Sequence, residues 1–236
     1  MGKLILVRHG KSFWNIKNIF TGWTDIDLAP EGIVEAKIAG EIIRSQNITI
    51  DICFSSYLKR AIRTALIILD TADLMHIDFL KSWKLNERNY GAWQGRNKEN
   101  VKKEVGEDLF WSIRRGYSTP PPSLSKDDER HPKFDRKYDT LNIADLPVGE
   151  SLEQTQQRAV QYFFEAIIPA LVNGKTVLVS AHGNSIRALM GYIENIEATE
   201  ISKIEVETGV LHIYEFTSAM RLKNKYSLNQ ESQVFI

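Results

Sequence analysis

Disulfides, membrane spans and nucleotide-binding loops are all missing from this sequence. The 236 residues contain a single cysteine, Cys53, so no internal disulfide framework can form and a reducing compartment is expected. No apolar run approaches the roughly 20 residues that span a bilayer, and the N-terminus enters an apolar strand almost at once, without a signal-peptide pattern. Neither charge is in surplus: Lys+Arg and Asp+Glu each total 30. A surface built for nucleic acid or an anionic membrane is therefore not expected. Neither Gly-x-x-x-x-Gly-Lys-Ser/Thr nor Gly-x-Gly-x-x-Gly occurs, which argues against ATP-loop and nicotinamide enzymes. With no Cys pair, no close His-x-x-x-His pair and no Asp cluster at ligand spacing, no metal is expected. Proline is scarce and uneven: five of the seven, at 120, 121, 122, 132 and 147, fall between Gly116 and Gly149. The expectation is a soluble cytoplasmic protein of ordinary composition, 43% hydrophobic and 25% charged, long enough for one large α/β domain or two small ones.

What is present begins with two short apolar runs, each ending in histidine and glycine. They are Leu4-Ile5-Leu6-Val7-Arg8-His9-Gly10 and Thr176-Val177-Leu178-Val179-Ser180-Ala181-His182-Gly183-Asn184. Such runs read as buried strands. In one parallel sheet their C-terminal ends open on the same edge, where α/β sheets place ligands. A lone histidine is more often structural than catalytic. Two at strand ends, with Arg8 beside one, form a constellation suited to an anion.

Helical periodicity over Glu31–Ser45, a strand at Asp51–Ser55, a helix capped by Ser55-Ser56, and a weaker strand near His76–Leu80 alternate as βαβ units do. The Gly116–Gly149 segment reads either as a disordered insertion or as an ordered cap over the strand ends. Ser151-x-x-Gln154 is a capping box opening a helix to about Val172, with Pro169 bending its last turn. A helix from Asn184 to about Ile193 and a strand over Val210–Phe216 follow. With no internal repeat, the expected fold is a single three-layer α/β domain with a mainly parallel sheet and a cap inserted at about 116–149.

Arg60 falls in the first turns of its helix, where helix-end amides also favour an anion. Arg114-Arg115 and Lys98 are further cations. Each alone reads as a solvated surface charge; together in one pocket they would grip phosphate or carboxylate. Glu87 reads by itself as an exposed helix-start residue. Beside two histidines and a phosphate site it becomes a candidate general acid/base.

Leu-Val-Arg-His-Gly with Ser12, then Asn15, Phe20-Thr21-Gly22-Trp23, Leu58-Lys59-Arg60-Ala61, Leu85-Asn86-Glu87-Arg88, Tyr90-Gly91, Gln94-Gly95, Arg114-Arg115 and Ala181-His182-Gly183-Asn184 together resemble the cofactor-dependent phosphoglycerate mutases of the histidine phosphatase superfamily. Arg-His-Gly alone would indicate only the superfamily. Thr-Gly-Trp, Leu-Asn-Glu-Arg and Arg-Arg, with the middle insertion, select the mutase branch. The likeness runs to about Tyr226, so the chain reads as one mutase-like domain over 1–236.

The resemblance implies that His9 is the nucleophile, with Arg8, Arg60 and His182 around the transferred phosphoryl group and Glu87 carrying the proton. It implies that Ser12, Asn15, Thr21, Gly22, Gly183 and Asn184 hold phosphate or substrate oxygens. Arg88, Tyr90, Lys98, Arg114 and Arg115 would bind the carboxylate and distal phosphate. The implied activity is interconversion of 3- and 2-phosphoglycerate in glycolysis and gluconeogenesis, primed by 2,3-bisphosphoglycerate without a metal. The partners are small phosphoglycerates, and a homodimer is a family expectation. The alternatives are a bisphosphoglycerate mutase or phosphatase, or a non-catalytic phospho-ligand-binding module. The chain departs from the family at Lys11, in place of glutamate, and at Leu211, in place of proline. Its tail, Ser227–Ile236, is short and ends in Val234-Phe235-Ile236, so closure of the site is expected to fall mainly to the cap.

Overall fold

The apolar run before His9 becomes a central strand because both of its faces are covered. In a computed structural model describing residues 2–232, β1 (Lys3–Arg8), β2 (Ile52–Ser55), β3 (Asp78–Lys81) and β4 (Thr176–Ala181) run parallel. β5 (Leu211–Phe216), antiparallel to β1, and β6 (Leu222–Leu228) extend the sheet. Among the described residues the order is β3-β2-β4-β1-β5-β6. Leu4, Leu6, Phe54, Val177 and Val179 join the core on one face, while Ile5, Val7, Cys53, Leu178 and Ile213 join that on the other. This explains why the runs are continuously apolar rather than alternating.

A short helix, α1 (Phe13–Ile16), follows β1. α2 (Pro30–Ser45) and α3 (Lys59–Thr71) cover the Ile5 face, and α4 (Lys98–Val105) and α5 (Glu107–Arg115) follow in the chain. α6 (Leu152–Tyr162), α7 (Ile168–Val172) and α8 (Gly183–Ile193) cover the Leu4 face, and α9 (Ala198–Ile201) precedes β5. This is the expected three-layer domain. Among the described residues no helix is long and apolar enough to cross a membrane. The loop leaving β1 lies directly on α2. A Cβ on Gly10 would sit 2.1 Å from the Gly32 carbonyl oxygen, and one on Gly32 would sit 2.1 Å from that of Lys11. Only glycine permits this backbone approach.

Two local expectations are corrected and one strand is added. Ser55-Ser56 does not cap α3: Ser55 stays in the sheet, donating to Ser180 O at 2.9 Å, and Ser56, three residues before the helix starts, accepts at Oγ from Leu58 N at 3.1 Å. The Ser151–Gln154 capping box is present, but its helix does not run unbroken to Val172. A widened π-turn at Phe163–Ile167 separates α6 from α7 just before Pro169, whose ring cannot supply an N–H to a regular ladder. β6 escaped the sequence reading because it is an exposed edge strand whose apolar alternation, Leu222, Tyr226 and Leu228, is interrupted by Asn224.

The Gly116–Gly149 segment is ordered, its 3-10 turns anchored by buried Leu124, Pro132, Tyr138 and Leu146. Tyr138 stacks on Trp23 at 5.0 Å between ring centroids, and its hydroxyl accepts from Asn86 Nδ2 at 2.9 Å. Lys11, the family departure beside Gly10, is matched by α2: Glu35 accepts its backbone N–H at 2.8 Å and lies 3.4 Å from Nζ. Val234-Phe235-Ile236 lie outside the described residues.

Candidate active site

The register of β1 against β4 pairs Arg8 with Ala181, and His9 N donates to Ala181 O at 3.0 Å. The next residue on each strand is a histidine, so the rings of His9 and His182 meet edge to face, 5.0 Å between centroids. His9 Nδ1 lies 2.7 Å from Gly10 O, which can only accept, while Arg60 Nε, which can only donate, lies 3.2 Å from Nε2. This pair of contacts selects a neutral imidazole with its proton on Nδ1 and a lone pair on Nε2. Burial, reinforced by Arg60 and Arg8 and opposed by the Gly10 hydrogen bond, holds its pKa well below the ordinary 6.5. His182 is held low in the same way, by burial and then by Arg60, His9, Arg158 and Arg8. Its Nε2 is 2.8 Å from Ser56 Oγ, and its buried Nδ1 has no partner among the described residues.

Arg60 enters the cleft from α3 and is almost fully buried. Besides His9 it donates to Thr24 O at 3.0 Å and Gly22 O at 2.8 Å. Gly22 has φ +53°, and the Gln94 carboxamide occupies the place a side chain would take. Arg8 donates to Val206 O at 2.8 Å, while its buried Nε has no partner among the described residues.

Glu87 sits in the loop after β3, where its Oε1 gathers three donors: Arg88 N at 2.8 Å, Asn184 Nδ2 at 2.9 Å and Asn184 N, at the start of α8, at 3.2 Å. The loop is clamped from behind by Arg158 on α6, all five of whose N–H groups are used. They go to Glu150 at 2.6 and 2.9 Å and to the carbonyls of Lys84, Asn86 and Glu87 at 2.8, 2.9 and 2.9 Å. Trp23 Nε1 donates to the same Glu87 carbonyl at 2.6 Å.

Arg8, His9, Asn15, Thr21, Gly22, Arg60, Glu87, Tyr90, Lys98, Arg114, Arg115, Gly183 and Asn184 line one cleft. Three of the expected residues stand behind its lining. Ser12 caps α1, exchanging hydrogen bonds with Asn15 at 3.0 and 3.2 Å. Arg88 is buried beneath Tyr90, 4.5 Å from the ring centroid, with Nε and Nη1 unpartnered among the described residues. His182 backs His9. The sequence reading missed Arg187 and Glu205, which also line the cleft, and the Arg158–Glu150 clamp. No residue of Gly116–Gly149 is among the lining residues described; the wall on that side is Lys98, Arg114 and Arg115, just before the segment. The cleft thus carries six cationic side chains, Arg8, Arg60, Lys98, Arg114, Arg115 and Arg187, against Glu87 and Glu205, and Glu205 is paired with Arg115 at 2.9 Å. Such a cleft suits a multiply charged anion.

Because both buried histidines resist protonation, the unfolded chain binds more protons than the native one below pH 6.5. Stability should therefore fall as pH drops through and below 6.5, at a slope approaching about 1.4 kcal/mol per pH unit for each histidine. Urea midpoints measured between pH 7.5 and 5.5 should show this decline, and His9→Gln should flatten it by about one proton. An unchanged slope in that variant would mean that His9 takes up a proton as readily in the folded chain as in the unfolded one.

The chain matches the histidine phosphatase superfamily (branch 1) over residues 4–134 and 123–226. It is 53% identical, over 229 residues covering 97% of this chain and 100% of the relative, to a 2,3-bisphosphoglycerate-dependent phosphoglycerate mutase of Nautilia profundicola. Among solved structures it is similar to Bacillus stearothermophilus YhfR, with 19% identity, a TM-score of 0.72 and coverage of 94% of this chain and 95% of that one. It is also similar to an Entamoeba histolytica phosphoserine phosphatase in complex with 3-phosphoglyceric acid, with 23% identity, a TM-score of 0.68 and coverage of 98% and 99%. At these identities the structural likeness is one of fold.

Proposed function

The chain belongs to the histidine phosphatase superfamily, branch 1, and from that premise we propose that it interconverts 3-phosphoglycerate and 2-phosphoglycerate through phosphorylated His9. The observation that carries this reading is the 53% identity to a 2,3-bisphosphoglycerate-dependent mutase along that relative's entire length. The chemistry of the cleft supports it. On this reading the enzyme serves glycolysis and gluconeogenesis in the cytoplasm, acts on small phosphoglycerates and forms a homodimer.

In one half-reaction His9 Nε2 attacks phosphorus in line at one end of a bisphosphorylated glycerate, the bond from phosphorus to that glycerate oxygen breaks, and Glu87 gives the oxygen a proton, releasing a monophosphoglycerate. In the other half-reaction Glu87 takes the proton from the free hydroxyl of a monophosphoglycerate, whose oxygen attacks phosphorus on His9 as the bond to Nε2 breaks. A neutral His9 keeps its lone pair for attack, and the charge spread over the phosphoryl oxygens is met by Arg8, Arg60 and His182. Ser56 Oγ already accepts from Leu58 N, so its own proton can go to His182 Nε2. That leaves a buried Nδ1–H on His182 to donate to the phosphoryl group. All three donors around Glu87 land on Oε1, which leaves Oε2 to carry the proton.

The buried, unpartnered Arg8 Nε, Arg88 Nε and Nη1 and His182 Nδ1 fit an anion with phosphate at both ends, as 2,3-bisphosphoglycerate is. Arg8, Arg60 and His182 would hold one end, and Arg88, Lys98, Arg114 and Arg115 the other. When bound, this primer supplies the first phosphoryl group to His9.

A coupled assay of 2-phosphoglycerate formation tests the reading. Turnover should depend on trace 2,3-bisphosphoglycerate and persist undiminished in excess chelator, since arginines supply the positive charge a metal would otherwise bring. Loss of activity in chelator with recovery on adding manganese or magnesium would remove the protein from this mechanism.

A further inference from the structure

We propose that Arg187 is a positioning residue for Glu87, acting by fixing which end of the Asn184 carboxamide faces the carboxylate. The proposal rests on the reading of Glu87 as the proton carrier. Asn184 and Arg187 are three residues apart on α8 and so share a face. Arg187 Nη1 donates to Asn184 Oδ1 at 2.8 Å, and Arg187 Nε is tied to Ile204 O at 2.8 Å. A guanidinium has donors only, so it accepts one orientation of the amide: oxygen towards itself. Nδ2 is thereby turned to Glu87 Oε1 at 2.9 Å and to the Tyr90 hydroxyl at 3.2 Å.

The opposite orientation would bring Oδ1, an acceptor, against a carboxylate oxygen, and would leave buried Arg187 facing an NH2 group. Among the described residues Arg187 is the group that bonds Oδ1. Without Arg187 the amide can turn over, and Glu87 Oε1 keeps only its two backbone donors, Arg88 N and Asn184 N, so the carboxyl group is held less firmly in the line of proton transfer. Misplacement of about 1 Å is enough to slow such a step severely.

The test separates proton delivery from phosphoryl transfer. The initial rate of acid-labile phosphate formation on His9 is measured with two donors. One is 2,3-bisphosphoglycerate, whose alkoxide leaving group needs a proton. The other is 4-nitrophenyl phosphate, whose leaving group departs as a stable anion. Arg187→Met should lower the ratio of the saturating alkyl-donor rate to the saturating aryl-donor rate about tenfold, while half-saturating concentrations rise for both donors because a cation has left the cleft. Arg187→Lys, which can also only donate, should recover most of the alkyl-donor rate. If both donors slow equally in Arg187→Met, the residue is merely structural. If half-saturation rises while the saturating rate holds, Arg187 binds substrate directly. Either result overturns the proposal and leaves the assignment of His9 standing. If the unaltered protein is labelled on His9 by neither donor, the function proposed above fails, and this inference with it.

Discussion

Replacing His9 with alanine is expected to abolish both acid-labile phosphorylation and mutase turnover while the protein still folds. The other imidazole in the site cannot take over, because His182 turns its Nε2 to Ser56 Oγ at 2.8 Å. The substitution removes a neutral ring and costs Arg60 Nε its acceptor, but the guanidinium keeps its bonds to Thr24 O and Gly22 O. A cooperative thermal transition should survive, with some stability lost to the small cavity. Incubation with labelled bisphosphoglycerate followed by acid and base stability tests reads the outcome. Normal labelling of the variant would place the nucleophile elsewhere.

Glu87→Gln should bind phosphoglycerate about as well as the unaltered protein and lose on the order of 10²–10⁴-fold in turnover. Glutamine retains the length and an oxygen that can accept from Arg88 N and Asn184, the contacts that orient the carboxylate now. What it lacks is a proton that can leave and return. The decisive comparison is kcat against KM: a fall confined to kcat supports proton transfer, whereas turnover near that of the unaltered protein would make Glu87 a structural residue of its loop.

The parts of this fold that were legible in the sequence share one property: their signal is local. β1 and β4 announce themselves by apolar runs stopped at His-Gly, and α6 by its Ser-x-x-Gln box. The convergence of Arg60, Lys98, Arg114 and Arg115 came through resemblance, because nothing within a few residues of each says that they face one cleft. Arg158 and Arg187 went unread for the same reason. Each had a faint mark, an arginine on a buried helical stripe shared with Leu152, Thr155 and Ala159 in one case and with Gly183, Met190 and Gly191 in the other. Their partners, however, are carbonyls and side chains of distant loops. Conversely, Gly116–Gly149 has the composition of a disordered insertion, yet it is pinned by a few large contacts, such as Tyr138 against Trp23, that no window of sequence reveals.

The placement of β1 decides when this enzyme can come into being. β1 precedes in the chain both of the strands that flank it, β4 and β5, and Arg8 meets a carbonyl 198 residues further along the chain. At roughly 5–20 residues per second, Leu4–Val7 must wait on the order of tens of seconds for its neighbours to be made. Closing loops of that size slows folding. Until β4 and β5 are made, the apolar strand has neither of its sheet neighbours to cover it. The two histidines cannot meet before β4 has been made, so a chain that stops short of it has no partly working site.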